Sequence, residues 1–319
     1  MLSLSHIRIK CKDYCRLICE IKFTNFRQVH HKLSVVGLYN YKPNPHSSKD
    51  TIIIMRFTGV LEKMLTEIAE PIQYYLEMSG DVVHVNQLLG KNIKIQFSHY
   101  QCMACGKDLP IFRQGHCKKC FFEQPSTADW IMRPELSKAH LGIAERDLEF
   151  EKQVQLQPHI VYLANSSNVK VGVTRKSQVP TRWIDQGAHE ALEIVEVPNR
   201  YLAGITEVAL KNHVDDKTNW RHMLTNQIKD ENLPAWRDQL KKYIPAEVQD
   251  YFIDYHTETH LHFPVLQFPT KINSLTLEKT KAYAGKLMGI KGQYLIFEDG
   301  TVFNIRNHEG YVVELEIEK

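Results

Sequence analysis

The sequence of 319 residues lacks an excess of charge of one sign, because 40 basic residues stand against 37 acidic ones for a formal net charge of +3. It also lacks low-complexity segments and repeats of fixed period, and its hydrophobic content is an ordinary 43%. These features exclude the disordered, collagen-like and coiled-coil classes. The small net charge does not indicate a class of binding partner. Any argument for nucleic-acid binding therefore has to rest on local groups of basic residues.

The sequence also lacks a run of about 18 apolar residues, so it predicts no membrane-spanning helix. The first residues, MLSLSHIRIKCKDYC, carry polar and charged side chains where a signal peptide has its apolar segment. Several enzyme motifs are missing as well, namely the Walker loop, the glycine-rich dinucleotide-binding fingerprint and the His-Glu-x-x-His zinc motif. We therefore predict a cytoplasmic protein without a membrane association.

Four of the seven cysteines form two Cys-x2-Cys pairs that are separated by eleven residues: Cys102, Cys105, Cys117 and Cys120. An odd count that includes two such pairs argues against a disulfide framework and for a reducing compartment. The two pairs can place four thiolates at the corners of a tetrahedron, which Zn²⁺ favours, and leave no position for a substrate. We predict a structural zinc site, with an iron–sulfur or redox role as the alternative.

The residues around this zinc ribbon combine positive charge with aromatic rings. The basic residues are Lys91, Lys94, Lys107, Arg113, Lys118 and Lys119, and the aromatic residues are Tyr100, Phe112, Phe121 and Phe122. Such a combination suits contact with a nucleic-acid backbone and stacking on bases. In the alternative, the lysines balance the negative charge of a zinc ion with four thiolates, and the phenylalanines form the ribbon's small core.

The length exceeds that of a single core, and the pattern along the chain divides it into several parts. They are a doubtful N-terminal extension at 1–54, a β-rich module with the zinc ribbon at 55–133, a linking helix at 134–157, an α/β unit at 158–222, a helical region at 223–270 and a C-terminal β segment at 271–319. Met55 opens MRFTGVLEKM, which is typical of a natural protein start. Residues 1–54 are therefore either an upstream extension from a wrongly chosen start codon or a poorly packed arm.

The α/β unit is predicted to run strand, strand, helix, strand, helix. Its elements are HIVYLA (159–164), VKVGVT (169–174), VPTRWIDQGAHEA (179–191), LEIVEVPN (192–199) and RYLAGITEVALKNHV (200–214). Before it, PELSKAHLGIAERDLEFEKQ (134–153) predicts one long helix. After it, residues 217–255 are predicted to be helical, and Glu298-Asp299-Gly300 predicts a hairpin turn between tail strands.

Within the α/β unit, a set of residues resembles the motifs of the GIY-YIG nuclease superfamily. In chain order they are Ile160-Val161-Tyr162, Lys170-Val171-Gly172, Arg182, Glu207 and Asn219. The resemblance implies an α/β (α+β) fold in which a three-stranded antiparallel sheet with flanking helices occupies residues 158–222. From about Met55 the chain also resembles an uncharacterised bacterial family, domain of unknown function 2797, whose members join a four-cysteine ribbon to this segment.

The resemblance implies a catalytic role for each matching residue. Tyr162 matches the tyrosine near the scissile phosphate, and Gly172 matches a glycine at which the backbone packs closely. Arg182 matches the helix arginine that would stabilise the charge developing on the phosphate. Glu207 matches the sole carboxylate, which would hold one divalent metal ion, Mg²⁺ or Mn²⁺, and Asn219 matches a polar residue that supports the site.

Lys170 departs from the superfamily pattern, because it stands where the second tripeptide usually begins with a tyrosine, a candidate general base. A lysine can bind phosphate, but it is a poor base near neutral pH unless burial lowers its pKa. Purely structural alternatives exist for the other residues. Tyr162 could be a core residue of a strand, Arg182 a solvated helix charge and Glu207 an acidic helix residue with a partner.

The preferred function is hydrolysis of DNA or RNA phosphodiester bonds by a metal-dependent endonuclease. The alternatives are a catalytically inactive nucleic-acid-binding protein and a zinc-stabilised protein-interaction scaffold. If the protein is a nuclease, we expect Tyr162, Lys170, Arg182 and Glu207 to converge in one open cleft. A Glu207 side chain that points into the core or away from Arg182 would contradict catalysis.

Overall fold

The computed structural model describes residues 54–214, 219–254 and 257–318. The prediction of an extension at 1–54 therefore lies, apart from its last residue, outside the described residues. The described residues form a mixed α+β structure with sheets of seven, four, three and two strands. Every helix in those ranges is too short or too polar to cross a membrane.

The strands of the described residues fall into several groups, which short helical segments separate. They are β1 (Ile54–Val60), β2 (Leu65–Glu67), β3 (Gln73–Met78), β4 (Asp81–His84), β5 (Asn92–Tyr100), β6 (Ile111–Arg113), β7 (His116–Cys117), β8 (His159–Asn165), β9 (Val169–Arg175), β10 (Glu190–Val197), β11 (Thr259–His260), β12 (Asn273–Leu275), β13 (Ala282–Lys291), β14 (Tyr294–Phe297), β15 (Thr301–Asn304) and β16 (Tyr311–Glu318).

The α-helices of the described residues are short, and most lie in the middle of the chain. They are α1 (Lys118–Glu123), α2 (Asp129–Met132), α3 (Leu148–Gln155), α4 (Thr181–Asp185), α5 (Arg200–Lys211), α6 (Trp220–Leu224) and α7 (Leu233–Leu240). The 3-10 helices are Val85–Leu88, Pro125–Thr127, Pro134–Leu136, Ala139–Leu141, Lys176–Gln178, Lys241–Tyr243, Ala246–Tyr251 and Arg306–His308.

The largest sheet has the strand order β1-β16-β5-β13-β14-β15-β12. The predicted β-rich module and the predicted C-terminal β segment both contribute strands to it, because β16 lies between β1 and β5. Burial alternates along β16 as a half-buried strand requires. Leu315 and Ile317 point into the core, whereas Glu316 lies on the outer face and accepts a hydrogen bond from Arg56 at 2.9 Å.

The second sheet has the order β11-β10-β8-β9, so β9 is an outer strand. Every residue of β8 is buried because both of its faces are covered. Tyr162 belongs to the same buried cluster as residues of the largest sheet, whereas Val161 and Leu163 pack on the other face with α5 and α7. The predicted hairpin of β8 and β9 is confirmed, and its register pairs Tyr162 with Gly172. The two-residue strand β11 adds a fourth strand to the three predicted.

The long helix predicted over 134–153 is wrong, because the segment forms two 3-10 turns before α3 begins at Leu148. Gly142 has a φ of +72° and ends the second turn. The buried carboxylate of Glu151 accepts hydrogen bonds from the three successive amides of residues 145–147 at 2.8 to 3.2 Å. This loop requires a non-helical backbone, and the Asp147 side chain then caps the start of α3.

The helices predicted at 179–191 and 217–255 are shorter than the sequence indicates. In the first segment only α4 forms, since Gly187 has a φ of +66° and β10 begins three residues later. In the described residues of the second segment, irregular backbone and 3-10 turns surround α6 and α7. The hairpin turn predicted at residues 298–300 is confirmed between β14 and β15, where Gly300 has a φ of +80°.

Candidate functional site

The zinc ribbon consists of the β6–β7 hairpin, the loop before it and α1. Each Cys-x2-Cys pair lies at a sharp turn. In the first turn, the amide of Gly106 donates to the Cys102 carbonyl at 2.8 Å, and Gly106 has a φ of +67°. Gly115, in the hairpin turn before the second pair, has a φ of +72°. Glycine adopts such a conformation without steric cost, so the two glycines explain how the pairs face each other.

The four cysteine sulfurs lie within 4.8 Å of one another. Tetrahedral Zn–S bonds of about 2.3 Å would place the sulfurs roughly 3.8 Å apart, so the described cluster fits such an ion. Burial raises the pKa of the Cys102 thiol, but amides of Cys105, Cys117 and Ala104 donate to the sulfur, and the net effect lowers this pKa to about 6. The four cysteines can therefore hold a metal such as zinc.

The second candidate site lies at the free edge of β9, where α4 and α5 approach the sheet. It draws one residue from each of four elements: Tyr162 from β8, Lys170 from β9, Arg182 from α4 and Glu207 from α5. The positive charge of Arg182 acts on Tyr162, on Lys170 and, less strongly, on Glu207. The four residues therefore form one electrostatic group, which we call the β9-edge site.

Tyr162 is completely buried and has well-defined partners. Its hydroxyl donates to Oε1 of Gln186 at 3.1 Å, and its ring packs edge-on against Trp183 at a centroid distance of 5.8 Å. Burial raises the pKa of Tyr162 and outweighs the opposing effect of Arg182. The phenol therefore stays protonated at neutral pH, and the expected open cleft is wrong at this residue.

Lys170 is also buried, with 9% of its surface exposed. Burial, and secondly the positive charge of Arg182, lowers its pKa to about 7. The neutral amine and the ammonium ion are therefore both well populated near neutral pH. This is the condition under which a lysine can act as a base.

Glu207 lies on α5, half-buried and close to charges of both signs. Burial raises its pKa, Lys211 and Arg200 lower it, and Glu135 raises it again. Glu135 comes close because α5 packs tightly on the preceding segment at Gly204, where a Cβ would stand 2.2 Å from the Glu135 amide nitrogen. The charges of Arg200 and, less strongly, Arg182 therefore act on this carboxylate.

Two arginines that the sequence analysis did not select belong to the same group. Arg200 donates to the carbonyls of Ile131 at 2.7 Å and Trp130 at 3.2 Å. Burial lowers the pKa of Arg200 to about 10, Glu207 raises it, and Arg175 lowers it. Their positions in the sequence could have indicated this, because Arg175 is the last residue of the strand that carries Lys170. Arg200 is likewise the first residue of the helix that carries Glu207.

Asn219 has a different role in the structure. Its side-chain oxygen accepts hydrogen bonds from the amides of Arg221 and His222 at 3.1 and 3.3 Å, so it caps the start of α6. Within the described ranges these two amides are its side-chain partners, and its side chain is exposed. The structure therefore places it as a helix cap and not in the β9-edge group.

Comparison with models of protein families gives a match. Residues 90–313 match the model of a family described as "Protein of unknown function (DUF2797)". The matched range covers the four cysteines and the β9-edge site. None of the curated proteins and none of the solved structures matches the chain.

Proposed function

The chain belongs to the DUF2797 family, and we propose that it is a zinc-containing, GIY-YIG-like nuclease that hydrolyses DNA or RNA with one divalent metal ion. The position of Arg182 carries the proposal. Its charge acts on Tyr162, Lys170 and Glu207. Three other residues that the motif resemblance selects are thus within reach of one guanidinium, a group that suits phosphate binding.

The charges of the β9-edge site suit a phosphodiester. The charges of Arg175 and Arg182 act on Arg200, and the carboxylates of Glu207 and Glu135 act on it with the opposite sign. Guanidinium groups bind phosphate oxygens with paired, charge-assisted hydrogen bonds. We assign Arg182 to the phosphate and Arg200 to holding Glu207 in place.

Glu207 is the residue that would hold the metal ion. A carboxylate oxygen is a hard ligand of the kind that Mg²⁺ and Mn²⁺ prefer, and one carboxylate leaves most of the coordination shell to water and phosphate oxygens. When bound, such an ion supplies charge stabilisation at the phosphate. The neighbouring Lys211 and Arg200 favour the ionised carboxylate that metal binding requires.

Lys170 is the proposed general base, and Tyr162 the proposed positioning residue. A base works best when its pKa is close to the operating pH, and the pKa of Lys170 is about 7. Tyr162 is buried, its hydroxyl donates to Gln186 and the charge of Arg182 acts on it, so we assign it to positioning the guanidinium without itself meeting solvent. This assignment differs from one in which the tyrosine assists the attack directly.

A cleavage assay tests the proposal. The full chain is incubated with Mg²⁺ or Mn²⁺ and labelled duplex, branched and single-stranded DNA and RNA. We expect cleavage of at least one substrate, a loss of about 100-fold or more in Glu207→Gln, and full activity in Glu149→Gln, which changes an exposed glutamate of α3. Absence of cleavage on every substrate contradicts the proposed hydrolysis.

The burial of Tyr162 and Lys170 favours a second candidate, a nucleic-acid-binding protein without catalytic activity. It predicts binding that weakens steeply with salt, as phosphate contacts require, and no cleavage with either metal. The same assays separate the two, since only the nuclease consumes its substrate. Absence of any nucleic-acid affinity at moderate salt would instead favour the zinc-stabilised protein-interaction scaffold.

A further inference from the structure

We propose that the zinc ribbon binds single-stranded nucleic acid by stacking unpaired bases on Phe112 and Phe122. The inference rests on the proposed function, since it names the substrate class of the same protein. Its evidence comes from a different part of the structure, so it can fail separately. Three features support it: exposed rings, adjacent cations and a hydrogen-bonded connection to the β9-edge site.

Three phenylalanines form an aromatic patch on the ribbon: Phe112, Phe121 and Phe122. Their ring centroids lie 5.3 to 5.7 Å apart, and Phe121 meets both other rings edge-on. Phe112 is 42% exposed and Phe122 57% exposed, whereas Phe121 is half-buried. Phe121 thus supports two rings that leave about half of their surface to solvent.

The patch does not serve as the core of the ribbon. The buried cluster at the ribbon's centre consists of Cys102, Cys117 and Cys120. A phenylalanine that served only to fill that core would be buried, because exposed aromatic surface has no stabilising contact. The exposure of Phe112 and Phe122 therefore indicates a binding role.

The charges beside the patch select a nucleic acid as its partner. Arg113 lies with its guanidinium carbon 5.3 Å from the Phe112 ring centroid, and Lys118 and Lys119 are exposed on α1. Of the nearby acidic groups, Glu123 lies 4.0 Å from Lys119. Rings beside cations suit bases that are attached to a phosphate backbone. An apolar protein surface that covered the patch would remove water from these cations and offer them no negative charge in return.

Stacking on the patch requires unpaired bases. In a duplex each base already stacks on its neighbours and is held by its partner, so its face cannot reach a protein ring. Phe112 and Phe122 are 5.7 Å apart and tilted by 36° to each other. Two adjacent bases of a flexible single strand can adapt to such a tilt. The substrate class is therefore a single strand or an unpaired segment.

Part-buried hydrogen bonds connect the patch to the β9-edge site. Arg146 donates from Nη1 to the Phe121 carbonyl and to Thr127 Oγ1, both at 3.0 Å. The carboxylate of Glu151 accepts from the Arg146 amide at 2.8 Å. Further along the same segment, the Ile131 carbonyl accepts from Arg200, whose charge acts on Glu207. The segment that carries the patch is thus hydrogen-bonded to a residue of the β9-edge site.

Fluorescence anisotropy tests the inference. The zinc-loaded full chain is titrated into a fluorescein-labelled oligonucleotide of about 12 nucleotides, as DNA and as RNA, and into the same strands annealed to their complements. No divalent metal is added, so the probe is not cleaved. We expect the single strand to bind more tightly than the duplex. Phe112→Ala and Phe122→Ala should each weaken single-strand binding by about 5- to 150-fold and leave duplex binding unchanged.

Two further variants control the test. Leu109→Ala removes another exposed apolar side chain of the ribbon, 41% exposed, and should leave the affinity unchanged. Phe122→Trp keeps a stacking surface and should retain the affinity. Zinc content and thermal unfolding are measured for every variant, so that a folding defect is separated from a loss of contact.

Three outcomes overturn the inference: no affinity for the single strand, equal affinity for strand and duplex, or unchanged binding in both alanine variants. The Glu207→Gln variant separates this inference from the proposed hydrolysis, since it should lose cleavage while its single-strand binding still depends on Phe112 and Phe122. Cleavage with unchanged binding in the phenylalanine variants would overturn the stacking alone. Ring-dependent binding without cleavage on any substrate would support the stacking and contradict the hydrolysis.

Discussion

The ring of Tyr162 lies directly over Gly172, its cross-strand partner in the β8–β9 hairpin. A Cβ at position 172 would stand 2.6 Å from both Cζ and the hydroxyl oxygen of Tyr162, closer than side-chain packing permits. Gly172 does not have a positive φ, so the close approach of the ring, and not the backbone conformation, requires glycine here. The two residues of the motif are thus parts of one packing arrangement.

Gly172→Ala should therefore destabilise the protein by about 1–3 kcal/mol, because the new methyl group overlaps a ring that is buried on all sides. Denaturant unfolding measures the change. In a Tyr162→Ala background, Gly172→Ala should lower the free energy of unfolding by much less, since the overlapping ring is gone. An equal cost in both backgrounds would show that the ring is not the cause.

The four ribbon cysteines should hold one zinc ion per chain. Metal analysis of the purified protein is expected to find this ion, and Cys117→Ser should lose it and unfold at a lower temperature, because a structural zinc site contributes directly to folding. Cys15→Ser lies outside the four-cysteine set and serves as the control. Iron in place of zinc, or full zinc content in Cys117→Ser, would contradict the assignment.

Lys170 should make stability depend on pH. Its pKa is about 7 in the folded protein and 10.5 without the fold, so the unfolded chain binds the extra proton between these values and stability rises with pH across that window. Lys170→Met removes the buried charge, so it should stabilise the protein by up to about 4 kcal/mol below pH 7 and progressively less towards pH 10.

Denaturant unfolding of Lys170→Met and of the unchanged protein at several pH values measures this difference in the free energy of unfolding. The contributions of groups that titrate equally in both proteins cancel in the difference. Lys118→Met, which changes an exposed lysine of α1, should show no such trend. A stability difference between Lys170→Met and the unchanged protein that is the same at pH 6 and pH 9 would rule out a lowered pKa at Lys170.

Arg182 should lower the pKa of Lys170, since its positive charge is the second cause of the shift after burial. Arg182→Gln removes that charge, so the pKa of Lys170 should rise from about 7 towards its ordinary value. NMR titration of the labelled Lys170 side chain measures this directly, without any enzymatic assay. An unchanged titration midpoint would mean that Arg182 does not act on Lys170.

Local patterns predicted the short-range features well. The hairpin of β8 and β9 follows from two β-branched runs on either side of Asn165-Ser166-Ser167-Asn168, and β10 and α5 follow from equally clear local patterns. The helix predicted at 134–153 failed because helical propensity does not register which side chain will be buried and take backbone amides as its partners. In that segment the buried Glu151 carboxylate takes three backbone amides that a helix would need.

The sequence by itself determined the four sulfur ligands, since the spacing of two Cys-x2-Cys pairs already sets which sulfurs can meet. It also determined the strands that carry Tyr162 and Lys170, because their β-branched neighbours favour an extended backbone. Only the tertiary structure decided that Tyr162 and Lys170 are buried and that Arg200 joins Glu207. Burial and charge contacts depend on segments far apart in the chain, and no local pattern specifies which of them will cover a given face.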